Sequence, residues 1–156
     1  MPQLVRELML RDIAVLEPQT PLREAAAQLS RSGRGLLVVA DAQRVHGLVT
    51  LRRLLAGAEA AAQGHLLRGI GDLASRRFVL TREDEPLEEL GPRLVQAGVR
   101  RAVVAAEQGQ VVGVITTLEL ARGARRRWRR LHAVDLSSEG SFPASDPPSW
   151  TDTMAG

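Results

Sequence analysis

Cysteine is absent from this sequence of 156 residues, which excludes disulfide bonds, thiolate nucleophiles and cysteine-ligated metals. Aromatic residues make up only 3% of the chain, and lysine is missing, so arginine supplies all 21 basic side chains. Arginine in place of lysine, beside much alanine, glycine and leucine, is typical of a GC-rich genome. Long apolar runs and a basic-then-apolar leader are also missing, so we expect a cytoplasmic protein that does not associate with a membrane.

The remaining composition is that of a globular protein with an uneven charge distribution. Apolar residues make up 44% and charged residues 25%, which predicts one compact domain with a sizeable core. Residues 1–121 hold 15 arginines and 14 acids, whereas residues 122–132 hold six arginines and no acid. Residues 133–156 hold four acids and no arginine. A nearly neutral body is therefore followed by a basic and then an acidic segment.

One motif occurs twice. Gly47-Leu48-Val49-Thr50 recurs as Gly113-Val114-Ile115-Thr116, sixty-six residues later. Further matching pairs lie sixty-five residues apart upstream of the motif: Pro21 and Pro86, Leu29 and Leu94, Gly33 and Gly98, Val38 and Val103. The one-residue shift falls in a loop between two strands, where a change of length is tolerated. The chain is a tandem repeat.

Each half shows the same order of elements: strand, helix, strand, strand, helix. In the first half, a short lead-in helix ends over residues 8–10, Thr20 is the predicted N-cap of the first long helix, and Gly33 ends that helix. Thr50 and Thr116 start the second helix of each half. The predicted strands are 13–16, 36–40 and 45–49 in the first half and 78–80, 101–105 and 111–115 in the second.

A three-stranded sheet with helices on one face leaves its other face uncovered, and a unit of about 60 residues is marginally stable alone. We therefore predict an α+β fold in which two β-α-β-β-α repeats pack sheet to sheet with pseudo-twofold symmetry. The predicted division is repeat 1 over 1–62, a linker over 63–69, repeat 2 over 70–122, a basic amphipathic helix over 123–132 and a disordered acidic Pro/Ser tail over 133–156.

Three segments together resemble the cystathionine-β-synthase (CBS) domain: the helix start Thr20-Pro21-Leu22-Arg23-Glu24-Ala25, the Gly-x-x-x-apolar-Val-Val segment after it, and Gly-Leu-Val-Thr turning into a helix. The resemblance covers residues 4–122 and implies a tandem CBS pair, or Bateman module. Such a module implies regulation or sensing rather than catalysis. It also implies an adenosine-type ligand, such as AMP, ADP, ATP, NAD or S-adenosylmethionine, in a cleft between the repeats.

The resemblance points to the two strand-to-helix junctions as ligand sites. Thr50 and Thr116 stand beside the free N–H groups of a helix N-terminus, where a phosphate or ribose oxygen binds well. Three residues later the family usually has an Asp that accepts hydrogen bonds from the ribose, but this chain has Arg53 and Glu119. Arg53 has no acceptor atom, whereas Glu119 keeps a carboxylate, so the second-repeat site is favoured. Simple N-capping is an alternative explanation for both threonines.

Four further residues match positions that contact ligand in the family. Arg100 and Arg101 resemble the basic segment that meets phosphate, although charges that keep a strand edge soluble are an equal alternative. Ile13 and Phe78 match the positions that pack against adenine, although an apolar strand residue is more often part of a core.

No catalytic constellation is present in the sequence. The three histidines, His46 in a predicted turn, His65 in the linker and His132 at a helix end, have no partner at metal-ligand spacing. We therefore expect exposed histidines, no metal and no enzymatic activity.

The basic segment has two interpretations. Continued as a helix from Thr116, it predicts an apolar stripe with Trp128 that docks on this chain or a partner, with arginines around the rest. The alternative is nonspecific nucleic-acid binding through the arginines of the helix: Arg125, Arg126, Arg129 and Arg130. Phe142 and Trp150 in the acidic tail are candidate anchors for a partner or for this helix.

The function predicted from the sequence is a regulatory module that senses an adenosine-type ligand. We also expect a homodimer through the second helix of each repeat. These helices carry more apolar surface than a single sheet can cover, contributed by Leu51, Leu54, Leu55 and Leu118. The regulated protein is unknown. A ligand-free structural or dimerisation module and a nucleic-acid-binding protein remain as alternatives.

Overall fold

A computed structural model describes the backbone of residues 2–131 and the side chains of residues 2–126. The chain divides into two units, Met1–Leu120 and Ala121–Gly156. Some predictions fall outside the described residues: those for His132, for the tail over 133–156 with Phe142 and Trp150, and for the side chains of Trp128, Arg129 and Arg130.

The repeat predicted from the sequence is confirmed by the order of the elements. The first repeat contains β1 (Ala14–Leu16), α1 (Leu22–Ser32), β2 (Leu36–Ala40), β3 (Val45–Thr50) and α2 (Leu51–Ala62). The second contains β4 (Val79–Arg82), α3 (Leu87–Ala97), β5 (Arg101–Ala105), β6 (Val111–Thr116) and α4 (Thr117–Leu131). Each repeat forms a three-stranded sheet in which the first strand is parallel and the third antiparallel to the middle strand.

The ends of α1 differ from the prediction at one position. Gly33 ends the helix as predicted, with φ +67° and its N–H bonded to the Leu29 carbonyl, and Gly98 ends α3 with the same φ. The N-cap is Pro21 rather than Thr20, and no side chain caps the helix. Pro21 has extended backbone angles, so the helix begins one residue later than predicted.

The lead-in helix also lies earlier than predicted. A 3₁₀ turn spans Val5–Glu7, and the Glu7 carboxylate accepts a 2.7 Å hydrogen bond from the N–H of Leu4. Leu10 is extended instead, because it exchanges two backbone hydrogen bonds with Val114 of β6. Pairing with the second sheet therefore overrides helix formation at this point.

The sheets pack face to face, as predicted from their uncovered faces. Val38 and Leu48 from the first sheet share one buried cluster with Val103 and Val114 from the second. Two other clusters lie between each sheet and its helices, one around Leu37 and one around Ile115.

The segment that precedes each repeat in the sequence packs into the core of the other repeat. Val5 and Met9 at the N-terminus pack into the core of the second repeat. Ile70, in a second 3₁₀ turn over Ile70–Leu73, packs into the core of the first. This exchange of lead-in segments holds the two repeats together in one unit.

The exchange explains why the repeated motif begins with glycine. A Cβ on Gly47 would lie 2.5 Å from the carbonyl oxygen of Ser75, and one on Gly113 would lie 2.5 Å from that of Leu10. Both oxygens belong to incoming lead-in segments, which pair with the strands beside the glycines. Only a residue without a side chain permits so close an approach.

Along the described part of the chain, no helix has the length and apolar character that crossing a membrane requires.

Candidate functional site

A cleft of about 650 Å³ opens between the two repeats, within the unit Met1–Leu120. Two stretches of the chain form its walls. The first-repeat wall consists of Leu48, Thr50, Arg52, Arg53 and Ala56; the second consists of Ser75, Arg77, Gly98, Val99, Arg100 and Arg101. We call this space the basic cleft, because five of its eleven lining residues are arginines and none is acidic.

The first-repeat wall is the junction between β3 and α2. Thr50 is the N-cap of α2, and its hydroxyl accepts a 3.2 Å hydrogen bond from the N–H of Arg53. The hydroxyl proton is not used in this contact, so it remains available to a ligand oxygen. This wall therefore combines a hydrogen-bond donor with the positive end of a twelve-residue helix.

The second-repeat wall is the turn between α3 and β5. Gly98 reverses the chain at the end of α3, and the backbone then runs through Val99 and Arg100 into Arg101, the first residue of β5. Arg77, just before β4, donates from Nη2 to the carbonyl of Gly98 at 3.0 Å. This contact holds the Arg77 guanidinium against the turn that carries Arg100 and Arg101.

A backbone contact also holds one arginine of the first-repeat wall. Arg53 donates from Nε to the carbonyl of Leu73 at 2.6 Å, and among the described residues its terminal nitrogens have no hydrogen-bond partner. Within residues 2–126, none of the five arginines has a carboxylate within 4.0 Å. The basic cleft therefore carries a formal charge of +5 without compensation from the described side chains.

The structure separates the second threonine motif from the basic cleft. The backbone N–H of Thr116 and its hydroxyl both donate to one oxygen of Glu119, at 2.8 and 2.7 Å. The hydroxyl also accepts from the N–H of Leu118 at 3.2 Å. Glu119 is only 7% exposed, and neither residue lines the basic cleft. Both polar groups are engaged in capping α4.

The two predicted adenine-packing residues lie in the core. Ile13 is buried in the cluster between the sheets, and Phe78 packs against the same cluster. Neither lines the basic cleft. Of the eight residues predicted from the sequence, the structure brings Thr50, Arg53, Arg100 and Arg101 together and leaves the other four elsewhere.

Sequence reasoning missed two arginines of the cleft, Arg52 and Arg77. Arg77 directly precedes Phe78, which was singled out, so its proximity to a strand start was a usable signal. Arg52 lies in the first turn of α2, where an arginine opposes the helix dipole. That unfavourable position was a second signal.

His46 is placed differently from the prediction of an exposed histidine in a turn. It lies in β3, half-buried, and its Nε2 is 2.6 Å from a carboxylate oxygen of Asp41. This contact, together with the N–H groups of Arg44 and Gln43, lowers the pKa of Asp41 to about 2. Among the described residues, no group of three or more His, Cys, Asp or Glu side chains is placed to hold a metal ion.

Arg125 and Arg126, two of the predicted nucleic-acid contacts, are exposed on α4 in the second unit.

Comparison with known proteins places this architecture. The family model of the CBS domain matches residues 5–59 and again residues 70–125. No protein of curated function matches the chain. Several solved structures share the fold, although their sequences are no more than 24% identical to this one.

One such structure is the CBS domain pair of the protein MJ0100 in complex with 5′-methylthioadenosine and S-adenosyl-L-methionine. It is 20% identical, with a TM-score of 0.63 over 81% of this chain and 99% of that chain. CBSX2 from Arabidopsis thaliana, in complex with AMP, is 23% identical, with a TM-score of 0.62 over 81% and 98%. Hypoxic Response Protein I, with two coordinated zinc ions, is 24% identical, with a TM-score of 0.60 over 77% and 98%.

Proposed function

Since this chain belongs to the CBS domain family, we propose that it is a regulatory module that binds an adenosine-type ligand in the basic cleft and has no catalytic role. Two proteins of the same fold were solved with AMP or with S-adenosyl-L-methionine and 5′-methylthioadenosine, which supports an adenosine compound as the ligand class. The basic cleft, with Thr50 at a helix N-terminus facing Arg100 and Arg101, is the observation that carries the proposal.

The lining of the cleft suggests how the ligand lies. Phosphate oxygens are placed among the arginines and the Thr50 hydroxyl, where guanidinium groups and a helix N-terminus stabilise negative charge. The apolar lining residues Leu48, Ala56 and Val99 provide the surface for the adenine ring. Arg100 and Arg101 keep the phosphate-binding role expected from the sequence, but their partners come from the first repeat rather than from Thr116 and Glu119.

A thermal-shift experiment on the full-length chain tests the proposal with AMP, ADP, ATP, NAD and S-adenosylmethionine. A ligand at one hundred times its Kd adds about 2.7 kcal/mol, or a few degrees of Tm for a domain of this size. Arg100→Gln should reduce the shift. Arg76→Gln is the matched control, because Arg76 is exposed beside the cleft but does not line it.

Two outcomes would contradict the proposal. If no adenosine compound at millimolar concentration moves the Tm, the module is structural and the sensing function is wrong. If Glu119→Gln removes the shift and Arg100→Gln leaves it intact, the ligand binds at the second junction instead.

We also propose that the module is a homodimer formed through α2. Leu51 is 50% and Leu55 is 62% exposed, and both line an apolar groove between α1 and α2 together with Leu22 and Ala26. A contact between two copies of this groove would bury these side chains in a self-complementary interface. Light scattering at tens of micromolar should give twice the chain mass of 16.9 kDa. Leu55→Asp should return the mass to that of one chain, whereas a single-chain mass for the native protein contradicts the dimer.

A further inference from the structure

The basic cleft offers a ribose no carboxylate or carboxamide, and its side-chain acceptors are the hydroxyls of Thr50 and Ser75. None of its eleven lining residues is Asp, Glu, Asn or Gln. The position that carries the family's ribose-binding Asp is Arg53, whose guanidinium only donates hydrogen bonds. The carboxylate at the corresponding position of the second repeat, Glu119, accepts from Thr116 through one oxygen and does not line this cleft. A ligand in this cleft therefore gains little from its 2′- and 3′-hydroxyl groups.

The same cleft is built to meet several phosphates. A single phosphate monoester carries at most about −2, and two or three guanidinium groups satisfy it. Five arginines line this cleft, and two of them, Arg53 and Arg77, are fixed by backbone carbonyls before any ligand arrives. Fixed donors lose little conformational freedom on binding, so their affinity for a phosphate is increased.

We infer that the basic cleft selects a chain of two or more linked phosphates and is indifferent to the sugar and weakly dependent on the base attached to it. The inference rests on the proposed function and narrows its ligand class. It excludes S-adenosylmethionine, whose sulfonium cation is repelled by the uncompensated charge of +5. It also predicts that AMP binds much more weakly than ATP, because the single phosphate of AMP contacts fewer of the five arginines.

Isothermal titration calorimetry on the full-length chain tests this with ATP, 2′-deoxy-ATP, GTP, tripolyphosphate, AMP and S-adenosylmethionine. We expect the Kd values of the two adenosine triphosphates to agree within about threefold, with GTP and tripolyphosphate within about tenfold of them. AMP should bind at least about thirtyfold more weakly than ATP, and S-adenosylmethionine should give no heat of binding.

The variants separate the role of each anchored arginine. Arg77→Gln should weaken tripolyphosphate about tenfold, because it removes one charge-assisted contact, while Arg76→Gln should leave its Kd unchanged. Arg53→Asp introduces the missing ribose acceptor. It should weaken tripolyphosphate and, at the same time, make ATP bind better than 2′-deoxy-ATP. The Tm of each variant without ligand shows whether it is folded.

The outcomes distinguish this inference from the proposed function. Tight ATP binding with a tenfold or larger loss for 2′-deoxy-ATP, or with no binding of tripolyphosphate, overturns the inference and keeps the adenosine sensor. Equal binding of ATP, GTP and tripolyphosphate supports the inference and shows that adenosine is not the recognised group. Binding of S-adenosylmethionine as tight as that of ATP overturns the inference, as does an unchanged tripolyphosphate affinity in Arg77→Gln.

Discussion

The two strand-to-helix junctions of this molecule have the same backbone and opposite chemistry. At the first, the Thr50 hydroxyl accepts a hydrogen bond from the N–H of Arg53, and the Arg53 side chain donates to the carbonyl of Leu73. At the second, the Thr116 hydroxyl donates a hydrogen bond to Glu119. We call the second junction closed, because Glu119 accepts two hydrogen bonds from Thr116, and the first junction open, because Arg53 at the corresponding position has no acceptor atom. The repeats share a fold but differ in the hydrogen bonds that their junction residues make.

Exchanging the chemistry of the junctions should have the largest effect. In Arg53→Glu the new carboxylate can accept the Thr50 proton, as Glu119 does at the second junction, and it changes the charge of the cleft from +5 to +3. We expect the affinity for a phosphate ligand to fall by about one hundredfold, as measured by calorimetry with ATP. Glu119→Gln, the matched change at the closed junction, should leave that affinity within a factor of about two. Equal losses in the two variants would show that the junctions are equivalent.

The glycines that begin the repeated motif should respond alike in both repeats. Gly47→Ala and Gly113→Ala each place a Cβ 2.5 Å from a carbonyl oxygen of an incoming segment. We expect a loss of about 2 kcal/mol in the free energy of unfolding for each variant, since the paired backbones must move apart. Urea denaturation measures it. Gly91→Ala is the control: no atom beyond its chain neighbours lies within 4 Å of a Cβ at this position of α3, so only the ring of Pro92 opposes the new methyl group and the loss should be smaller than at the motif glycines. Unchanged stability in Gly113→Ala would mean that the N-terminal segment is not held at β6.

The closed junction should matter for stability and the open one should not. Glu119→Ala removes the acceptor for two partly buried donors of Thr116 at the start of α4, which should cost about 1–2 kcal/mol. Arg53→Ala removes an exposed side chain with one backbone contact and should change the free energy of unfolding by less than about 0.5 kcal/mol. Chemical denaturation of the two variants without ligand compares them. A larger loss for Arg53→Ala would assign Arg53 a structural role.

The smallest effect concerns the two turns that follow the middle strands. The first uses the Asp41 carboxylate, which accepts from Gln43 and Arg44 and contacts His46, whereas the second closes through Gly109 with φ +90°. The pKa of Asp41 is lowered from 3.8 to about 2, so its stabilising effect is present above pH 4 and is lost as the pH falls through 2. The difference in stability between the native chain and Asp41→Asn should shrink by about half between pH 5 and pH 3. A difference that is constant over this range would show that the charge of Asp41 is not involved.

Local signals in the sequence were enough to predict the elements. Gly33 and Gly98 mark helix ends because a left-handed residue is needed there, and Thr50 marks a helix start because its hydroxyl caps an N–H. Where a distant partner competes, the local signal was misleading. Leu10 was predicted to end a helix and instead pairs with Val114. His46 was predicted to be exposed in a turn and instead lies in β3, where it contacts Asp41, only five residues away.

The sequence alone determined that two CBS repeats are present, that their sheets pack together, and that the first junction carries Arg53 where the second carries Glu119. These features follow from residue type and spacing. Only the tertiary structure decided which arginines share a cleft, because the basic cleft joins residues of both repeats that lie up to about fifty positions apart, from Leu48 to Arg101. No local sequence pattern predicts that these residues are close in space, because their proximity results from the packing of one sheet on the other and from the exchange of the lead-in segments.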